Sequence, residues 1–313
     1  MPHHRHILRA LLISALMTLH LGLAVHAAES DTLNRQRFEV NNTWLTEMSG
    51  VAASNIYKNH FWAHNDSGDR GRLFSFDEQG KMLTELRIDN SSAFDWEDMS
   101  SFKDASGSYL LIGDIGDNMM LRPFADVYLV HEPVNISKQI IHAQVNRHYS
   151  LVYPDGPHDA EAIAVDAGER FVYVLTKRDT HPRLYRFSLD AVEGQAIPLN
   201  YLGEIRSIPS IEKHQPQRQG GISGGSPTAM EFSPNGDIAM IVTLRNTYFF
   251  KREHNQSWLQ ALNKTPFART QNRMRQVESG TFTTDGKRVL VGSEGKPAVL
   301  EFTDTPKFND GKN

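Results

Sequence analysis

The chain has 313 residues, 39% hydrophobic and 22% charged, which is enough for a full core and far from the composition of a disordered polypeptide. Cysteine is absent, which excludes disulfides, thiolate metal ligands and cysteine nucleophiles. A formal net charge of −4 argues against wholesale nucleic-acid binding.

The first residues are basic (His3, His4, Arg5, Arg9), an apolar run extends from Ala10 to Val25, and small residues follow at Ala27 and Ala28, the order of an export signal. Ser14, Thr18 and His20 interrupt the run, which falls short of the roughly 20 apolar residues that cross a bilayer, so cleavage is expected rather than anchoring. The expectation is a signal peptide over 1–28, a single domain over 29–313, a periplasmic or secreted location, and no membrane association after cleavage. Cleavage removes two arginines and no acid, leaving 31 basic against 37 acidic residues and a formal charge of −6.

Beyond residue 40, short apolar runs rich in Val, Ile, Phe and Tyr are separated by Gly, Asp, Asn and Pro, an all-β pattern. A polar residue, a small or acidic one and an apolar run recur together at Ser49-Gly50-Val51, Glu97-Asp98-Met99, Glu161-Ala162-Ile163, Thr228-Ala229-Met230 and Glu278-Ser279-Gly280. A second strand follows each and ends in a polar cluster; from the opening residue to His64, Asp114, Lys177, Arg245 and Glu294 the offsets are 15, 17, 16, 17 and 16. Third strands alternate in RLFSF (72–76), DVYLV (126–130), RLYRF (183–187), TYFFK (247–251) and AVLEF (298–302). Openings 48, 64, 67 and 50 residues apart predict a β-propeller of five unequal blades, with a sixth, degenerate blade in the insertions as the alternative. Fourth strands are expected at 82–88, 145–153 and 197–205, and the last blade is expected to close with RFEV (37–40) from the start of the domain.

In such a fold the first strands line the channel, so Ser49, Glu97, Glu161, Thr228 and Glu278 are expected to ring its axis. Three carboxylates crowded together raise their pKa values or recruit a cation, and an all-oxygen set suits Ca²⁺ better than Zn²⁺. The competing reading is that the glutamates pair with arginines or with backbone amides as plain channel lining. Outside the ring, HNDSGD (64–69) and GDIGDN (113–118) supply acids, and Lys177, Arg178 and Arg245 supply cations, a combination suited to a metal-bridged anion. His64 is the rim imidazole able to act as a general base or acid near neutral pH. The candidate catalytic set is therefore His64, Asp66, Asp114, Lys177, Arg178 and Arg245.

The loop KHQPQRQGGISGGSP (213–227) leads into the fourth blade and is a candidate lid. Its GISGGS lacks the lysine and the strand–loop–helix context of a phosphate loop. The segment 251–276 holds six basic residues against Glu253 and is read as a solvated excursion.

The phrases HNDSGD, DWED, GDIGDN and DAEAIAVD resemble those of secreted bacterial propellers of the phytase-like, esterase-like class, over most of residues 46–302. The Ser, Glu, Glu, Thr, Glu ring is similar to that of five-bladed calcium-activated nucleotidases, a resemblance that implies an axial calcium at Ser49, Glu97, Glu161, Thr228 and Glu278; Thr228 departs from the family's Ser and Glu ligands, and Ser226 is the alternative there. The full acidic clusters of true β-propeller phytases are not reproduced. Two functions remain open: a calcium-dependent hydrolase of phosphate or other esters acting on a small anionic or ester substrate, and a non-catalytic propeller with structural calcium that grips a ligand or a periplasmic protein.

Overall fold

Strands that are apolar at nearly every position need cover on both faces. In the computed structural model, which describes residues 34–209 and 225–309, five twisted sheets stand side by side around an axis and cover one another. The 1–28 leader and residues 213–224 of the expected lid lie outside the described residues.

In chain order, β1 (Arg35–Glu39) precedes blade one, made of β2 (Met48–Ala53), β3 (His60–Asn65), β4 (Arg72–Asp77) and β5 (Met82–Asp89). Blade two contains β6 (Trp96–Asp104), β7 (Gly107–Asp114), β8 (Ala125–His131) and, beyond the short β9 (Ile140–Gln144), β10 (Arg147–Val152). Blade three contains β11 (Ala160–Asp166), β12 (Phe171–Thr176), β13 (Arg183–Ser188) and, beyond β14 (Ala196–Pro198), β15 (Asn200–Glu204). Blade four contains β16 (Pro227–Phe232), β17 (Ile238–Thr243), β18 (Asn246–Lys251) and, after helix α1 (Trp258–Leu262), β19 (Ala268–Gln271). Blade five is β20 (Val277–Phe282), β21 (Arg288–Ser293) and β22 (Val299–Asp304), with β1 as its outer strand. The molecule is a five-bladed β-propeller, and the described residues form no sixth blade.

The ring closes where the sequence predicts. β1 runs antiparallel to β22, with Phe38 opposite Leu300 and Arg37 opposite Glu301. Arg35 and Arg37 both reach Glu301, at 2.5 and 2.8 Å, and the Phe38 ring stacks on Phe302 at 5.5 Å. The insertions of the middle blades are used as well: β9 pairs parallel to β5 and β14 pairs parallel to β10, so each covers the outer edge of the blade before it.

Residues 251–276 are not a solvated excursion. They hold α1 and β19, and the fully buried Trp258 stacks on Phe232 with ring centroids 4.0 Å apart. The alternation along β11 shows how the core is shared: Ile163 and Val165 pack toward blade two, while Ala162 and Ala164 pack toward blade four. An apolar cluster of this kind lies between every pair of neighbouring blades.

Candidate functional site

The five innermost strands carry the same irregularity at the same level. Pairing passes from Met48↔Asn65 to Gly50↔His64, from Trp96↔Asp114 to Asp98↔Gly113, from Ala160↔Thr176 to Ala162↔Leu175, from Pro227↔Thr243 to Ala229↔Val242, and from Val277↔Ser293 to Ser279↔Gly292. The residues skipped are Ser49, Glu97, Glu161, Thr228 and Glu278, all buried. A bulge leaves its extra residue out of the ladder and re-aims the side chain. Five bulges therefore put these five residues at one end of the channel.

Their contacts differ. Ser49 Oγ donates to Glu97 Oε2 at 3.4 Å, whereas Thr228 Oγ1 donates to the Val277 carbonyl at 2.9 Å and so ties blade four to blade five. Lys177, almost wholly buried, sends its ammonium group to Glu161. Burial alone would lower the Lys177 pKa, but the carboxylates of Glu161, Glu97 and Glu278 outweigh it and push it up. The protein thus brings its own cation to the ring where the sequence analysis expected an axial metal.

Among the described residues, this one ammonium does not balance the surrounding acids. Burial, with the nearby charges of Glu161 and Asp66, holds Glu97 well above the usual carboxylate range. Burial likewise raises Glu161 to about 8, against the pull of Lys177, and Glu278 to about 7. Asp95 is pushed up to about 6 by burial and by the charges of Asp66 and Asp159, and burial raises Asp66 and Glu294 too.

Asp66, Asp95 and Glu97 come closest together, with one oxygen from each lying within 4.8 Å of the others. Two oxygens on opposite sides of one calcium ion stand about 4.6–5.2 Å apart, and this donor set is all oxygen, so the three fit a hard cation. Gly116 backs the cluster: a side chain there would meet Glu97 Oε1 at 2.3 Å and Asp95 Oδ2 at 2.5 Å. Asp95 was not among the residues singled out by sequence, although it opens the DWED phrase; an acid two positions before a ring glutamate was the signal available.

The ladder also corrects the register of the outer residues. Those directly after the skipped pairings are Asp66, Ile115, Lys177, Leu244 and Glu294, so Asp66, Lys177 and Glu294 are true equivalents, while His64, Asp114 and Arg245 stand one or two positions away. His64 is fully buried under Gly50, its ring edge-on to Trp96 at 5.4 Å. Its Nδ1–H donates to the Asn65 carbonyl at 2.9 Å, and burial lowers its pKa to about 4, so it is neutral near pH 7 and shut off from the rim. Asp114 accepts the Phe94 and Asp95 amides at 3.0 and 3.1 Å and pairs with Arg122 at 2.8 Å, which holds the 94–95 backbone in place. Arg178 is engaged by Asp159 and Asn118. Arg245 is exposed in the turn between β17 and β18.

Deeper in the channel, two more buried acids have partners of another kind. Asp98 accepts backbone amides of Met99, Ile163 and Met230 at 2.8, 3.0 and 3.1 Å, which links blade two to blades three and four. Glu231 accepts Ser100 Oγ at 2.9 Å and the Phe232 amide at 2.9 Å. At the opposite mouth a cavity of about 340 Å³ is lined by all five blades, with Asn55, Ser101, Asp166 and Glu231 among its walls.

No family model and no curated protein matches the chain. Among solved structures, Kuenenia stuttgartiensis hydrazine synthase is similar over 82% of this chain and 83% of that chain, with a TM-score of 0.44 and 8% identity. A likeness that distant carries no functional argument.

Proposed function

We propose that the acidic mouth binds a hard divalent cation, calcium by its donor chemistry, through Asp66, Asp95 and Glu97, and that the propeller uses it to hydrolyse an ester of a small anionic substrate. The observation that carries this reading is the convergence of three carboxylates, each with a raised pKa, within the span of one ion. Buried like charges without enough counter-charge are costly, and a cation relieves that cost.

A cation held by Asp66, Asp95 and Glu97 would supply polarisation of the ester oxygen. With Asp95 engaged by the cation, and His64 buried and neutral, neither is placed to take the proton of an attacking water. The Lys177 ammonium, kept charged by the ring glutamates, is positioned to favour negative charge developing at the mouth. In this reading the protein acts outside the cytoplasm, in keeping with the leader-like start of the sequence.

One observation favours the non-catalytic alternative. Arg178 and Arg122 already serve Asp159 and Asp114, so a cation in the mouth would balance charge and stiffen the site for a ligand or a periplasmic protein without any chemistry.

The test is a melting curve with calcium and with chelator, followed by a phosphate- and carboxylic-ester screen. A ligand bound only to the folded state adds about 2.7 kcal/mol at a hundred times its dissociation constant. Asp95→Asn should remove most of that response. An identical curve in both conditions would overturn the cation site, and stabilisation without turnover of any ester would select the binding reading.

A further inference from the structure

Next to the acidic mouth, two loops of blade two expose large apolar side chains. Phe94, directly before Asp95, is 64% exposed; Met119 and Leu121, just beyond Gly116, are 75% and 70% exposed, and Met120 and Phe124 join them. Most exposed apolar residues need no explanation when scattered singly, but five on two adjoining loops form a patch.

The loop that carries the patch is held firmly. Arg122 pairs with Asp114, donates to the Gly116 carbonyl at 2.7 Å and covers the Phe94 ring at 4.8 Å, while the Asp117 amide donates to Asp159 at 2.8 Å. Met120 adopts φ +52°, a left-handed conformation that a non-glycine residue seldom takes. The fold thus holds apolar chains in water by a strained turn, within three to five residues of the glycine that backs Asp95 and Glu97.

We infer that this patch receives the alkyl or aryl part of the ligand whose polar end enters the acidic mouth, so that the substrate is an amphipathic ester. The inference rests on the cation-site reading for the polar end. Continuity with the mouth favours a ligand tail over other occupants. The loop's one basic side chain, Arg122, is turned inward, so nothing in it attracts an anionic membrane, and the neighbouring carboxylates repel one. Five side chains also fall well short of the roughly 20–30 residues a side of a stable interface with a second copy.

The probes are n-alkyl phosphates from ethyl to decyl, titrated calorimetrically below their micelle concentrations into the full protein with calcium. Affinity should climb about two- to fourfold per methylene until the patch is covered, since a fully buried methylene contributes about 0.8 kcal/mol. The triple variant Met119→Ser, Leu121→Ser, Phe124→Ser should bind ethyl phosphate as the parent does and lose the climb. Ethyl and decyl phosphate binding equally well would overturn the inference and leave the cation site standing. A climb that persists with chelator and in Asp95→Asn would support the apolar patch and count against the cation. No binding by any member, or a dimer that the triple variant dissolves, would overturn the inference, and the first of these would remove the anionic-ester reading with it.

Discussion

Two levels of one channel treat buried carboxylates in opposite ways. In the interior, Asp98 receives three backbone amides and Glu231 receives a hydroxyl and an amide. At the mouth, Asp66, Asp95, Glu97, Glu161, Glu278 and Glu294 chiefly face one another and a single buried ammonium. Acids supplied with donors act as ties between blades; acids left facing acids hold a charge deficit that a ligand can fill. The two kinds stand one residue apart at Glu97 and Asp98, because the bulge turns the first toward the mouth and leaves the second to cross the axis.

That contrast depends on a closed ring, so the largest effect is expected from opening it. Deleting residues 29–40 removes β1 and bares the β22 edge; the product should aggregate or melt far below the parent in a thermal scan, and a soluble, equally stable truncation would refute closure by β1.

Next comes the interior tie. Asp98→Ala leaves amides of blades three and four without an acceptor in the core and should destabilise by about 3–5 kcal/mol in urea unfolding. Asp95→Asn, by contrast, should leave the calcium-free protein as stable as the parent or more so. Equal losses from the two substitutions would erase the distinction between the levels.

The pH dependence sharpens it further. A carboxyl whose pKa is raised by folding keeps its proton in the native state when the unfolded chain has released it, so its contribution is fully present below the unfolded value and is lost as pH rises through the folded one. For Glu161 and Glu278 the window opens at the ordinary 4.5 and extends to about 8 and about 7. Stability of the calcium-free protein should therefore fall across that window; burial raises the interior Glu231 to about 8 as well, so the mouth's share is the part of the slope that Glu161→Gln removes. Calcium affinity should rise as pH passes through about 6, where Asp95 ionises, because the ligands must shed protons to bind. A flat stability profile from pH 5 to 8 without calcium would contradict the charge deficit.

The smallest effect is expected at the fourth ring position. Thr228→Val loses one buried hydrogen bond to Val277 and should cost about 1 kcal/mol, with calcium affinity unchanged, since Thr228 lies outside the Asp66, Asp95 and Glu97 cluster. A large drop in calcium affinity would return Thr228 to the ligand set.

Much of this architecture follows from the linear sequence. Apolar runs of strand length, repeated five times with a polar residue at each opening, suffice for five blades, because strand period and turn chemistry are local properties. The same phrases mark the five bulged residues, and RFEV (37–40) marks the closing strand. Partners across the channel were decided elsewhere. Whether Lys177 enters the ring, whether Thr228 faces the axis or Val277, and whether Asp95 joins Asp66 and Glu97 all depend on how blades dozens of residues apart are brought together. Counting along the chain also slipped at His64 and Asp114, whose hairpins are longer than those of the later blades, and at Arg245, the polar neighbour of the equivalent Leu244; only the hydrogen-bonded ladder restores the register. Local pattern determined the blades, and tertiary packing decided which of their polar residues are left without partners.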